Sequence, residues 1–455
     1  MKSFQHLFLG LTLCIGLINT LNAVPDPTKD MWDDPAFIKS FTGSYRAIAE
    51  YEPPISNDER LVLRNLIDTL KSNPKAAIKE LQPQIKPKTS AAFDFILANL
   101  YFQDGNLANA EKCYTQATSK FPNFRRAYKN LGLVQVQSGN YKPAIKTISK
   151  AIELGAIDGR SYGLLGYCYL SQQLYYPAET AYRQAILMQP DTLDWKLGLA
   201  RCLMETQRYA DAIALFDTLI KLHPNRADFW LLQGNAYLGQ QQPMAAAGNI
   251  EIVRRMGKAE HATLILLGDI YINNAAPSLA LDAYQAALKV ANNNDSQSLI
   301  RAADILTRSG NFVKGKTMIS STRERFGDQL SDANDLKLLT LEAKIAHAEA
   351  DTATAITALK QIIVRDALNG EALIELGNIY AAQDQLPKAI NRFEQAEKIE
   401  AFERKALIAH AQALVANTDY QASLPLLRRA LYIESDNNLE DFVRRVERAA
   451  RDKGV

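Results

Sequence analysis

From Ala91 onward the chain repeats itself every 34 residues, in ten units that begin at Ala91, Arg125, Gly159, Leu193, Ala227, His261, Ser296, Leu336, Gly370 and Arg404. The register breaks twice, with a one-residue slip at Asp295 and a six-residue insert from Leu330 to Asp335. A fixed period of this length constrains the fold more than any composition does. Each unit must form the same small structure, and each must bury its apolar face against the next.

The columns of the alignment carry the physics. The eighth position reads Ala98, Gly132, Gly166, Ala200, Gly234, Gly268, Ala303, Ala343, Gly377 and Ala411. Glycine inside a helix costs about 1 kcal/mol relative to alanine, so this column predicts a close approach by another backbone. The twentieth position is also small, from Ala110, Ala144 and Ala178 through Gly315 and Ala355 to Ser423, and predicts the other side of a tight helix crossing. Four places later the residues are large: Tyr114, Ile148, Tyr182, Phe216, Ile250, Tyr284, Ile319, Leu359, Phe393 and Leu427. Positions 4, 7, 8 and 11 have the spacing of one amphipathic helix, and positions 20, 24 and 27 continue on a second. Turn signals such as Ser138-Gly139-Asn140 and Ser309-Gly310-Asn311 lie between them, and Pro122, Pro190 and Pro224 close the second helix.

This pattern of an aromatic, Leu-Gly, Tyr, Ala, aromatic, Ala and Pro resembles the tetratricopeptide repeat (TPR) family. It is almost whole in Tyr162, Leu165, Gly166, Tyr169, Ala178, Tyr182, Ala185 and Pro190. Departures concentrate at Ala302 and Thr322 and at Glu342 and Ala346, so those two hairpins are expected to be the softest. The resemblance implies an all-α solenoid, a right-handed superhelix of about ten hairpins with first helices on the concave wall. The expected organisation is a leader over residues 1–23, a Pro- and aromatic-rich lead over 24–56 and a degenerate hairpin over 57–90. Seven repeats follow over 91–329, then the insert over 330–335, three repeats over 336–437 and a cap helix over 438–455. The insert is expected to act as a bend or hinge. The lead, with Trp32, Phe37, Phe41, Tyr45 and Tyr51, is expected to pack on the first hairpins, although docking on a partner is the alternative.

If first helices line a groove, the resemblance turns positions 2, 5, 9, 12 and 13 toward a ligand. Position 5 is mostly apolar, with Phe95, Leu197, Leu231, Ile265 and Ile374, but also Lys129. Position 9 is mostly polar, with Asn99, Arg201, Asn235, Asp269 and Asn378, joined by Tyr167. An apolar stripe beside an amide-bearing one suits a peptide, whose side chains meet the first and whose backbone meets the second. The alternative is that the asparagines only solvate the groove. Family members that grip the C-terminal carboxylate of chaperones carry Lys at position 5 followed by Asn at position 9. Here Asn99 follows Phe95, Asn235 follows Leu231, and Leu133 follows Lys129, so that clamp is absent.

Other chemistry is weighed against this. Gly310 to Thr317 reads G-x-x-x-x-G-K-T, a phosphate-loop motif, but the motif works only between a strand and a helix. Leu299 to Arg308 has helical spacing, Gly310 falls at a turn and Gly315 in the small column, so nucleotide binding is not expected. Cys168 and Cys202 share position 10 of adjacent units and read as core thiols too far apart to pair, while Cys113 could be more exposed. His223, His261, His347 and His410 are scattered without metal-ligand spacing. No cofactor or metal is expected, nor a catalytic constellation.

Residues 1–23 place Lys2 before the apolar run Leu7–Ile18 and end in Asn22-Ala23, the layout of a secretory leader cleaved after Ala23. An uncleaved anchor is the alternative. Leu13 before Cys14 argues against a lipid anchor. With 52 Lys+Arg against 50 Asp+Glu the net charge is +2, which gives no basic face for nucleic acid, and 47% apolar residues exclude a disordered chain. The expected function is therefore an exported, periplasmic or envelope-associated, non-catalytic scaffold for partner proteins or peptides, with no permanent membrane span after cleavage. Some envelope TPR proteins accompany TonB-type energy-transduction machinery, and that association is implied here by resemblance. The alternative is an assembly or carrier factor for exported polysaccharide or outer-membrane components.

Overall fold

The computed structural model describes residues 50–452; the expected leader and most of the aromatic lead, residues 1–49, lie outside the described residues, as do 453–455. Among the described residues there are twenty-three α-helices, a few short 3₁₀ turns and no strand. The chain is an all-α solenoid of consecutive antiparallel helix pairs. It divides into two compact units, one up to Asn249 and one from Ile250.

The first unit opens with α1 (Asn57–Ser72) and α2 (Pro74–Leu81). Ser56 caps α1 in a reciprocal box with Glu59, which satisfies two orphan backbone donors. Glu59 does a second job: its Oε1 accepts the Ser90 N–H at 2.7 Å. The backbone donors of Ser90 and Ser56 together hold its carboxyl below the usual range. Four repeat hairpins follow, α3 (Ala91–Gln103) with α4 (Leu107–Lys120), α5 (Arg125–Gln137) with α6 (Tyr141–Glu153), α7 (Gly159–Ser171) with α8 (Tyr175–Met188), and α9 (Leu193–Glu205) with α10 (Tyr209–Leu222). Next come α11 (Ala227–Gly239) and α12 (Pro243–Arg255), the latter holding the boundary between units. One buried apolar cluster runs from Leu66 to Ala236, as expected where each hairpin shields its neighbours.

The second unit continues with α13 (His261–Asn273) and α14 (Pro277–Lys289), then α15 (Ser296–Arg308) and α16 (Phe312–Phe326). The pairs α17 (Asp332–Ala348) with α18 (Thr352–Arg365), α19 (Gly370–Ala382) with α20 (Leu386–Glu397), and α21 (Glu403–Ala416) with α22 (Tyr420–Ile433) complete the array. The final helix α23 (Asn437–Asp452) buries Leu439, Val443, Val446 and Ala450 against Leu427 and Ala430, and leaves its arginines outward. The insert before Leu336 mostly adds one turn to a first helix, so α17 has 17 residues where most of its counterparts have 13.

The small column works differently from the expectation. A Cβ built on Gly132 would lie 2.5 Å from Ile148, on Gly268 2.2 Å from Tyr284, and on Gly377 2.5 Å from Phe393. At Gly166 the Tyr182 ring stands 3.0 Å away. The eighth position is therefore small to admit the bulky twenty-fourth side chain of its own hairpin, rather than to let a backbone in. Gly234 alone of these five faces backbone, with the Ala246 carbonyl at an ordinary 3.7 Å.

A second column emerges only from the backbone. The fifteenth residue of every unit is left-handed: Gly105, Gly139, Gln173, Gln207, Gln241, Ala275, Gly310, Ala350, Asp384 and Thr418, with φ between 56° and 76°. Glycine occupies three of the ten. The other seven hold a conformation that costs an L-residue about 1–2 kcal/mol.

Two stability measurements test these columns. Gly268→Ala must push a methyl into the Tyr284 ring and should destabilise by about 1–3 kcal/mol, whereas Gly234→Ala has room and should gain up to about 1 kcal/mol of helix propensity. Urea midpoints that move in the same direction for both would refute the side-chain reading of the column. Ala350→Gly relieves the left-handed turn and should stabilise by about 0.5–1 kcal/mol after the unfolded chain's extra freedom is counted; an unchanged or lower midpoint would contradict it.

Candidate protein-binding face

The first helices present the residues that the sequence singles out, and the structure sorts them into three groups. Phe95, Lys129, Tyr167, Ile265, Asp269 and Ile374 are buried. Asn99, Leu197, Leu231 and Asn235 are half-buried, and Arg201 and Asn378 are exposed. These residues are divided between the two units and form one stretch of face in each.

Burial has a chemical cause at several positions. In the first unit Tyr114 is fully buried. Its hydroxyl donates to Asn99 Oδ1, and Asn130 Nδ2 donates to the same Asn99 oxygen at 3.1 Å and to the Tyr114 oxygen at 3.3 Å. In the second unit the same three places carry a charged version: Tyr284 OH donates to Asp269 Oδ1 at 2.7 Å and Arg301 Nη2 to Asp269 Oδ2 at 2.7 Å. Burial, and then the adjoining Asp269 carboxylate, push the Tyr284 phenol well above its ordinary pKa. Position 9 is thus turned inward in these two hairpins, where position 24 is a tyrosine that needs an acceptor.

Lys129 is likewise engaged: its Nζ lies 2.7 Å from Asp158 Oδ2, while Asp158 Oδ1 caps α7 through the Ser161 N–H at 2.8 Å. Phe95 packs with tilted ring planes against Tyr114 and Phe124, centroids 5.8 and 4.9 Å away. Tyr167 meets Tyr141 at 5.7 Å. Side chains left outward at position 9 include Arg201, Lys344, Asn378 and Gln412.

Tetratricopeptide repeat signatures match residues 97–159, 169–236, 231–296 and 340–403. The chain belongs to the tetratricopeptide repeat family. Among relatives, it is 24% identical over 232 residues to the BBSome complex member bbs-4 of Caenorhabditis elegans, covering 48% of this chain and 49% of that one. It is 25% identical over 167 residues to Hsp70-Hsp90 organizing protein 3 of Arabidopsis thaliana, covering 36% and 30%. The chain thus spans about half and about a third of the length of these relatives. A similar solved structure is YrrB, described as a TPR protein with an unusual peptide-binding site, at 20% identity over 41% of this chain and 96% of that one, TM-score 0.38.

The other sequence signals resolve into TPR architecture. The segment Gly310–Thr317 runs from a left-handed turn into α16, with helix α15 before it. Gly315 is packed close to Thr307 and Ile345, Lys316 Nζ pairs with Glu349, and Thr317 Oγ1 donates to the Val313 carbonyl at 2.9 Å. No strand among the described residues feeds this loop. Cys113, Cys168 and Cys202 are all buried. Burial pushes the Cys113 thiol up to about 11 and the other two up to about 12, so none is a ready nucleophile. Among the described residues no three His, Cys, Asp or Glu side chains converge on a common point, and no helix is long and apolar enough to cross a membrane.

The insert contributes a site that the repeat pattern does not show. Asp335 receives Arg323 Nε at 3.1 Å and also Arg365, and Arg323 reaches on to Glu342 at 2.5 Å. Glu342, which replaces the usual Leu, is thereby paired. Burial raises the Asp335 carboxyl, but the two guanidiniums outweigh it and hold the group below the ordinary carboxylate value. A depressed folded-state pKa means that the stabilisation is present above the unfolded value near 4 and is lost as pH falls through the folded one. Asp335→Asn should therefore lower the thermal midpoint at pH 7 and leave it unchanged near pH 2. A deficit that persists undiminished in acid would show that the pair is not its origin.

Proposed function

We propose that the protein is an exported, non-catalytic TPR scaffold that binds partner proteins of the cell envelope along its first-helix face. The observation that carries this reading is the division of position 9. Where position 24 does not require an acceptor, polar side chains at position 9 stand outward, as Arg201 does in the first unit, one turn from half-buried Leu197 at position 5, and Asn378 in the second. That arrangement offers an extended peptide alternate apolar and polar contacts. The leader-like layout of residues 1–23 supports an exported location, and a relative that is a member of a multi-subunit complex supports an assembly role. Within the envelope, work alongside a TonB-type energy-transduction system is the specific role we favour.

The test is capture by the tagged full-length protein from a crosslinked envelope fraction, with proteins and glycans both identified by mass spectrometry and the N-terminus of the mature chain sequenced. Specific proteins should be enriched. The double variant Arg201→Glu, Asn235→Ala should lower their capture about tenfold, equivalent to roughly 1.4 kcal/mol, at an unchanged thermal midpoint. Undiminished capture by that variant would remove the face from the mechanism, and enrichment of glycans alone would favour the polysaccharide-carrier reading.

A further inference from the structure

The stretch Glu50–Ser56, which precedes α1 and has no helix of its own, is held on the array by three contacts and by the burial of Pro53. The Arg125 guanidinium lies over the Tyr51 ring, 5.1 Å from its centroid. Glu52 pairs with Arg126 Nη2. Pro53 is buried, and the Pro54 carbonyl accepts a hydrogen bond from Ser90 Oγ at 2.6 Å. Arg126 also lies over the Phe95 ring, 5.1 Å from its centroid.

These partners are not arbitrary surface. Phe95 is position 5 of the first repeat and Arg126 is position 2 of the second, both among the positions expected to face a ligand. The ion pair joins residues 74 apart in sequence, so the strap bypasses its own hairpin α1–α2 to reach the second repeat. Glu52 keeps only 16% of its side-chain exposure there. A carboxylate that is largely desolvated on an arginine, next to an aromatic ring stacked on a second arginine, is what a bound peptide would show.

We propose that the Phe95–Arg125–Arg126 face is a recognition site for an extended segment carrying an aromatic residue followed by a carboxylate, and that the chain's own Tyr51-Glu52 occupies it as an internal competitor. The occupant is fixed by complementarity. Two adjacent arginines, one with its face free to stack and one aimed at a carboxylate, select that dipeptide over a basic or purely apolar one. Tyr51 and Glu52 stand ahead of the Ser56 cap of α1, so displacing this dipeptide leaves the hairpins intact. A partner bearing the same dipeptide binds by replacing it, and its apparent affinity is reduced by the fraction of time the strap is docked. This deepens the scaffold reading, on which it rests, by naming the chemistry of the partner segment.

The probe is a fluorescein-labelled peptide with the strap's own sequence, Glu-Tyr-Glu-Pro-Pro-Ile-Ser, titrated with the full-length chain and followed by anisotropy. It should bind the Tyr51→Ala, Glu52→Gln variant at least about tenfold more tightly than the unaltered protein. Adding Arg126→Gln should abolish that gain, as should a peptide with glutamine for its second glutamate. Thermal midpoints within a few degrees of one another show that the array is intact. Equal binding to the unaltered and strap-released proteins, or no binding to either, overturns the proposal. The titration is independent of envelope capture: failure to enrich any protein there would remove the envelope role while leaving the peptide result standing.

Discussion

The structure depends on a recurring interlock, seen in four hairpins, in which a bulky side chain at position 24 enters the gap left by a glycine at position 8 of the same hairpin. Gly268 with Tyr284 and Gly377 with Phe393 show it in its tightest form. The contact closes these hairpins on themselves, and the remaining apolar faces are then covered by the neighbouring repeats. A core built this way extends along the chain instead of enclosing a chamber.

The same interlock decides which polar residues are available. In the hairpins of Tyr114 and Tyr284 the hydroxyl at position 24 reaches position 9 and is paired there, and a buried unsatisfied hydroxyl would cost about 1–3 kcal/mol. Asn99 and Asp269 meet that need in the two units. They are consequently part of the packing as much as of the face. Asn130 and Arg301, at position 6 of the following repeats, complete each group and couple one hairpin to the next through a polar link.

The hairpins were legible because small and large residues fall in strict columns, and eight of the ten first helices begin at the residue where the sequence register begins a unit. Four things were not fully legible, each for a physical reason. The small column by itself suggests a backbone approach, because sequence shows that a site is small without showing what fills the gap. The left-handed fifteenth position escaped notice because Gln173, Gln207 and Ala275 carry no glycine signal; repeat geometry imposes the conformation and packing elsewhere offsets its cost. The face was only half legible, since the inward or outward fate of Asn99 and Asn378 depends on whether position 24 is Tyr114 or Phe393. The strap on Arg125 and Arg126 has no periodicity at all, and a contact across 74 residues leaves no mark in the local pattern.

Gly310–Thr317 and Asp335 show how far local chemistry is subordinate to this frame. The first has every letter of a phosphate loop, yet Gly315 is required by packing against Thr307 and Ile345, and Lys316 is drawn to Glu349. The second lies in an insert that interrupts the period, and it is stabilised because two arginines from flanking second helices converge on it. In both cases the helix pair sets where a charged group stands, and the charge then finds a partner within reach. A scaffold assembled on that rule can change its partners by substituting outward residues at positions 2 and 9 while positions 8 and 24 stay fixed. Arg126, held by the chain's own Glu52, is one such outward position put to use within the molecule itself.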